Sequence, residues 1–229
     1  VERTESMTPP TWSPLYRTTA WLCALMVGLI VVQVGVFVAW PPPTTVEGFY
    51  ELLIANPLLG LVSLDLLYVV QNTILAVIYV ALFVRMRAES PTLSVLGLTW
   101  GLLGIAAYYP SNPAFELLAL SRERATSGPD VSASLVAAGE AVLAGYTGTS
   151  FSVYYVLSAV ALVLFAIAIL RTRRLSAATG WWGLAAGALM IVPSSAGAVG
   201  TAFALASLAP WTVFVVLLAL RFRALSKQG

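Results

Sequence analysis

Residues 18–40 run for 23 positions without a charged side chain, and apolar stretches of similar length recur along the chain. A helix rises about 1.5 Å per residue, so roughly 20 apolar residues cross the ~30 Å hydrocarbon layer of a bilayer. Inside that layer every backbone N–H and C=O must find its partner within the protein, which makes the helix the natural spanning form for such runs. Composition decides one point. The chain is 59% hydrophobic and only 10% charged, with a mean hydropathy of +0.90, where a soluble domain carries about 25% charged residues. The expectation is an all-α polytopic membrane bundle.

Six transmembrane helices can be placed. Residues 1–17 read as a flexible polar tail. Thr18–Trp40 is the first span, too long for a signal-peptide core and without an A-x-A cleavage pattern, so it stays as an anchor. Trp40 and Pro41 to Pro43 end it at an interface. Thr44-Thr45-Val46-Glu47 is a T-x-x-E capping box that opens a short amphipathic helix over Thr45 to Ala55. Asn56 caps and Pro57 begins the second span, which runs to Arg87. The third covers Thr92–Tyr109, the fourth Ser150–Leu170 and the fifth Ala177–Ala196. A turn at Gly197–Gly200 precedes the sixth, Thr201–Leu220, with a kink at Pro210. Between the third and fourth spans lie two further amphipathic helices, Asn112 to Arg124 and, capped by Asp130, Val131 to Ala144. The membrane domain is thus 18–223, with outer segments 41–56 and 110–148, and a short tail follows at 224–229.

Charge sets the orientation. Six spans place ten of the twelve Lys and Arg on the side holding both termini, and leave Arg122 and Arg124 opposite. The excess of basic residues in cytoplasmic loops makes the first side cytoplasmic and the protein a multi-pass component of the cytoplasmic membrane.

A shift of 86 residues carries Tyr68, Asn72, Tyr79, Arg85 and Arg87 onto Tyr154, Ser158, Phe165, Arg171 and Arg173. The WGLLG at 100–104 then matches WGLAAG at 182–187 with four fewer loop residues. The match predicts a parallel internal repeat about an axis along the membrane normal. Chance similarity between apolar segments is the competing explanation.

Polar residues inside the spans are where function is to be sought. Asp65, Tyr68, Asn72 and Tyr79 fall within roughly a 60° arc of one helix face. The repeat adds Tyr154 and Ser158, giving six candidate ligand-binding residues. Asp65 has two readings. It is either a proton, cation or amine contact, or a wet carboxylate at the outer edge of the hydrocarbon. If Arg122 or Arg124 folds over it, Asp65 becomes a clamp for the outer segment. Gln71 and Asn72 suit interhelical hydrogen bonds, and Glu140 a solvated helix face.

Absences narrow the chemistry. Histidine is missing, Cys23 is the one cysteine, and Lys227 the one lysine. These remove the usual haem and transition-metal ligands, a disulfide, a Ser-His or Cys-His pair and an intramembrane Schiff base. No cofactor or metal site is indicated, and the scattered basic residues do not suit nucleic acid.

The acid-bearing LDLLYVV at 64–70, the short basic loops and the long central outer segment resemble a broad group of prokaryotic six-span membrane proteins catalogued only as a domain of unknown function. The resemblance covers most of residues 18–223 and implies a fold without an activity. The reading is a non-enzymatic integral membrane protein, in contact with the lipid bilayer, that binds a small or lipophilic ligand or supports a protein partner at its outer face. The alternative is a small transporter or channel with Asp65 as the coupling group; a second titratable group beside Asp65 would be needed for an enzyme.

Overall fold

The computed structural model of the protein describes residues 12–228. Ten α-helices follow one another: α1 (Ser13–Ala39), α2 (Val46–Ala55), α3 (Pro57–Ser63), α4 (Leu66–Met86), α5 (Pro91–Tyr108), α6 (Ala114–Thr126), α7 (Pro129–Tyr146), α8 (Thr149–Thr172), α9 (Ala177–Leu189) and α10 (Gly197–Leu225). All regular secondary structure among the described residues is helical. Five segments are long and apolar enough to cross a membrane; they contain α1, α4, α5, α8 and α10.

Six helices close a ring in the order α1, α4, α5, α8, α9, α10, with α10 returning to α1. Neighbours run antiparallel. Arg87 at the end of α4 lies over the ring of Trp12 before α1, 5.7 Å from its centroid. Ser13 at the start of α1 donates to the Ser226 carbonyl beyond α10 at 2.6 Å, and Tyr16 stacks on Phe222. Arg85 reaches the Arg174 carbonyl at 3.3 Å, and Arg174 pairs with Glu89. Both ends of the described chain and the two arginine-bearing loops therefore share one end of the ring.

Glycine sets the spacing between α5 and α8. A Cβ at Gly101 would lie 2.5 Å from the Tyr79 ring and 3.3 Å from Ala161, and one at Gly97 would lie 3.1 Å from Phe165. Gly183 of α9 plays the same part between Ala166 and Phe214. Small residues at these points let the helix backbones approach closely. The basic half of the ring is filled with side chains such as Leu82, Met86, Phe165, Ile169, Leu218 and Phe222, all fully buried.

At the opposite end, α2, α3, α6 and α7 form a cap with its own core of Val46, Phe49, Leu53, Leu64 and Leu117. Tyr50 ties α2 to α7 by donating to the Leu135 carbonyl at 2.8 Å. Arg124 does not reach Asp65; its guanidinium lies over the Tyr50 ring and its Nε donates to Ser132 at 3.1 Å. Glu140 is exposed on α7.

Several boundaries differ from the sequence reading. The expected tail 1–17 already turns helical at Ser13 because Pro14 suits a first helical turn and Tyr16 has Phe222 to pack on; residues 1–11 lie outside the described residues. Thr45, not Thr44, is the first cap, accepting from Gly48 N at 3.2 Å. Asp130 sits inside the first turn of α7, which Gly128 and Pro129 begin. The fifth span stops at Leu189, since Pro193 disfavours helical backbone at the residue before it. Its remainder, Met190–Ala196, turns without helix, and Ser195 there meets Ser152 in the first turn of α8 at 3.1 Å. α10 starts at Gly197, where φ is +67°, so the expected 197–200 turn is already helix, and Pro210 lies inside it. At the far end α10 reaches Leu225 within the expected 224–229 tail.

Candidate functional site

The second span is broken where the sequence suggested a continuous helix. α3 ends at Ser63, Asp65 adopts left-handed backbone with φ 58° and ψ 31°, and α4 starts at Leu66. The break leaves the Leu64 carbonyl without a backbone donor, while the Val62 carbonyl accepts from Asp65 N and the Asp65 carbonyl from Tyr68 N. Side chains from three other elements reach these three carbonyls. Gln33 of α1 donates through Nε2 to the Val62 carbonyl at 3.3 Å. Asn112, before α6, donates to the Leu64 carbonyl at 2.7 Å. Tyr108 of α5 donates to the Asp65 carbonyl at 3.5 Å.

The Asp65 side chain is held as its backbone is. Tyr146, the last residue of α7, donates its hydroxyl to Oδ2, and Gln33 Nε2 lies 3.4 Å from Oδ1. Around this point the aromatic rings of Tyr68, Tyr108 and Tyr154 cluster, with centroids 4.9–6.1 Å apart. Tyr154 donates to the Tyr68 hydroxyl at 2.8 Å. Edge-to-face tyrosines of this kind bury a large apolar body while keeping a hydroxyl bonded.

Below the cluster a cavity of about 450 Å³ opens within the ring. Its walls come from α1, α4, α8, α10 and the turn after α9. Asp65, Tyr68, Asn72, Tyr79, Tyr154 and Ser158, the six candidates from the sequence, all line it. Asn72 and Ser158 are each 1% exposed. The Asn72 amide donates to the Tyr68 carbonyl at 3.0 Å, which fixes its Nδ2 and leaves Oδ1 without a partner. Gln33 is fixed the same way by Val62, and its Oε1 is likewise unpartnered, as is Ser158 Oγ. Tyr79 stacks on Phe165 at 5.5 Å and forms the lower wall.

The mouth is apolar. Val34 and Val38 on α1 and Leu205 and Leu208 on α10 line the cavity and are also exposed, Val38 by 78% and Leu205 by 64%. α1 and α10 join through Ser13, Tyr16, Phe222 and Ser226 at the basic end and flank the cavity at the other. No group of residues able to hold a metal ion is found among the described residues.

Gln33, Tyr108, Asn112 and Tyr146 are among the lining or anchoring residues that escaped the sequence reading. Gln33 carried a usable signal, being an amide inside the uncharged first span. Tyr146 carried none, because its partner lies 81 residues earlier.

The fold and site define an all-α protein with, among the described residues, five helices long and apolar enough to span a membrane, around a largely apolar cavity that carries a few polar side chains on its inner wall. No protein-family model, curated protein or solved structure matches this chain.

Proposed function

We propose that the protein is a six-span membrane protein that binds a lipophilic small molecule carrying a hydrogen-bond donor. The observation that carries this reading is a cavity with an apolar mouth and, on its inner wall, two unpartnered amide acceptors, Asn72 Oδ1 and Gln33 Oε1, beside the unpartnered Ser158 hydroxyl. A buried acceptor without a donor costs about 1–3 kcal/mol, so a ligand that supplies donors is favoured where one that lacks them is not. The mouth of valine and leucine suits entry sideways from lipid rather than from water.

The sixth crossing belongs to α9 with the turn that follows it. Thirteen residues give only about 20 Å of helix, but Ser195 stands level with the first turn of α8 through Ser152. α9 and its extension thus run the length of α8, about 36 Å for 24 residues. With six crossings the arginine-bearing end faces the cytoplasm. An ancient duplication is supported by three pairs separated by 86 residues that touch: Tyr68 with Tyr154, Tyr79 with Phe165, and Met86 with Thr172. In ring order, however, the two hairpins are successive neighbours, with α9 against α10 rather than α4. A rotation nearer a third of a turn than a half would relate them.

The transporter reading draws on the broken helix at Asp65, since discontinuous helices often carry ion or substrate sites. The fully buried side chains of Leu82, Phe165 and Phe222 between the cavity and the basic end favour the binding reading over an aqueous route. The test is retention and uptake of a lipophilic molecule. Purified protein in nanodiscs should bind dodecanol, read by native mass spectrometry, and Leu205→Trp at the mouth should abolish it. Absence of any bound or titratable lipophile would remove the reading. Proton flux into liposomes that disappears in Asp65→Asn would replace it with the transporter.

A further inference from the structure

The donor that this cavity is built to receive can be narrowed by charge. Asp65 is a half-buried carboxylate whose partners are neutral: the Tyr146 hydroxyl on Oδ2 and the Gln33 amide on Oδ1. The Gln33 contact is long, at 3.4 Å, and leaves lone-pair capacity on Oδ1. No Lys or Arg lines the cavity. Arg124, the nearest candidate from the sequence, is engaged with Tyr50 and Ser132. A buried carboxylate without a cation is costly, and a cation beside it offsets that cost.

The surroundings suit a cation in two further ways. Tyr68 and Tyr154 line the same wall, and aromatic rings attract ammonium groups. The unpartnered groups nearby, Asn72 Oδ1 and Gln33 Oε1, can only accept, and both are fixed as acceptors by donating their NH₂ groups to backbone carbonyls. The polar wall therefore offers one negative charge and two amide acceptors, but no free cation. A hydroxyl would use one acceptor and leave the charge unmatched; a quaternary ammonium would match the charge and leave the acceptors empty. Only an N–H-bearing ammonium serves both.

We infer that the ligand is a cationic amphiphile, a primary or secondary amine with an apolar body, whose ammonium sits between Asp65, Asn72 and the Tyr68–Tyr154 rings while its chain lies toward Val34, Val38 and Leu205. This rests on the binding reading given above, and adds the charge and the N–H donors of the ligand.

The experiment uses the full chain in nanodiscs with three probes of one chain length: dodecylamine, dodecanol and dodecyltrimethylammonium. Empty nanodiscs provide the partition baseline. The amine should bind at least about tenfold more tightly than the alcohol, as a charge-assisted hydrogen bond in a dry site implies, and more tightly than the quaternary probe. Asp65→Asn should remove the amine's advantage and leave the alcohol unchanged. Asn72→Leu, which keeps the volume and the carboxylate, should weaken the amine by about fivefold. Leu205→Trp, on the exposed rim where folding is not at stake, should block every probe. Equal affinity for amine and alcohol overturns the inference while the cavity reading survives; so does a quaternary probe that binds as well as the amine. Amine binding untouched by Leu205→Trp also overturns it, because the amine then sits elsewhere. If Asp65→Asn does not fold, the Asn72→Leu and Leu205→Trp results decide in the same sense. Failure of all three probes to bind removes the cavity reading itself.

Discussion

Tyr146 and Asp65 form one of the joints between the cap and the ring. Tyr146 closes α7, and its hydroxyl reaches the carboxylate at the broken helix. One of the sequence readings had Arg122 or Arg124 fold over Asp65 as a clamp; Arg124 lies on Tyr50 and Ser132 instead, and Tyr146 is the cap residue that reaches the carboxylate. An arginine over Asp65 would have cost less in Coulomb terms, but Arg124 already has the face of Tyr50 and the Ser132 hydroxyl. Tyr146→Phe deletes only the donor. It should lower the melting temperature and speed proteolysis within 110–148, with a cost of about 1–3 kcal/mol for the acceptor left bare. Unchanged melting and digestion would mean that the tyrosine and the acid merely lie side by side. Asp65→Asn keeps an acceptor for Tyr146, so its effect on cap proteolysis should be the smaller of the two.

At the scale of elements, the break between α3 and α4 depends on chain that is remote in sequence. Nothing local announces it: Ser63-Leu64-Asp65-Leu66 contains neither Gly nor Pro, and the apolar periodicity of Pro57–Arg87 continues through it. The Leu64 carbonyl, which has no backbone donor, is satisfied by Asn112, and Gln33 and Tyr108 add side-chain donors to the carbonyls on either side, so the break rests on tertiary contacts that periodicity cannot see. The polar stripe itself was legible because Tyr68, Asn72 and Tyr79 all fall within α4, where the 3.6-residue period holds. Asn112→Asp tests the break. It keeps the acceptor that bonds Ala114 N at 3.2 Å and loses the donor to the Leu64 carbonyl. The expected loss is about 1–3 kcal/mol in thermal unfolding, whereas a variant as stable as the parent would show that Leu64 needs no partner. The helix contacts give a second test. Gly101→Ala pushes a Cβ against Tyr79, which is already stacked on Phe165 and cannot retreat. It should cost about 1–3 kcal/mol. Gly35→Ala on α1, with nothing within 4 Å, should be neutral or raise stability by up to about 1 kcal/mol. Equal melting temperatures for the two alanine variants would deny that glycine sets the α5 contact.

Over the whole molecule, the sequence locates the apolar runs well because hydrocarbon thickness fixes their length, and it locates their ends poorly where proline or a cap intervenes. α9 shows the limit: length alone counts five candidate crossings, and the sixth that we propose rests on Ser195 lying level with Ser152. Five crossings would place the two ends of the chain on opposite faces of the membrane. Six, as we propose, would place them together, in keeping with the bond between Ser13 and Ser226 near the two ends of the described residues. The arginine-bearing loops share that end, held by Arg85 with Arg174 and Arg174 with Glu89, while the cap with Arg122 and Arg124 stands at the other. Such a division of basic residues is the pattern by which membrane proteins are oriented on insertion. Single cysteines at Ala88, Thr126 and Lys227, in a Cys23→Ala background, read this directly, since all three positions are exposed. In intact cells a membrane-impermeant maleimide should label Thr126→Cys and leave Ala88→Cys and Lys227→Cys unmodified until the membrane is opened. Labelling of Lys227→Cys from outside, with Ala88→Cys protected, would mean that α9 does not cross and that five spans are correct. Labelling of Thr126→Cys and Ala88→Cys from the same face would separate the ring from the bilayer altogether, because α5 alone lies between α6 and the loop that bears Ala88.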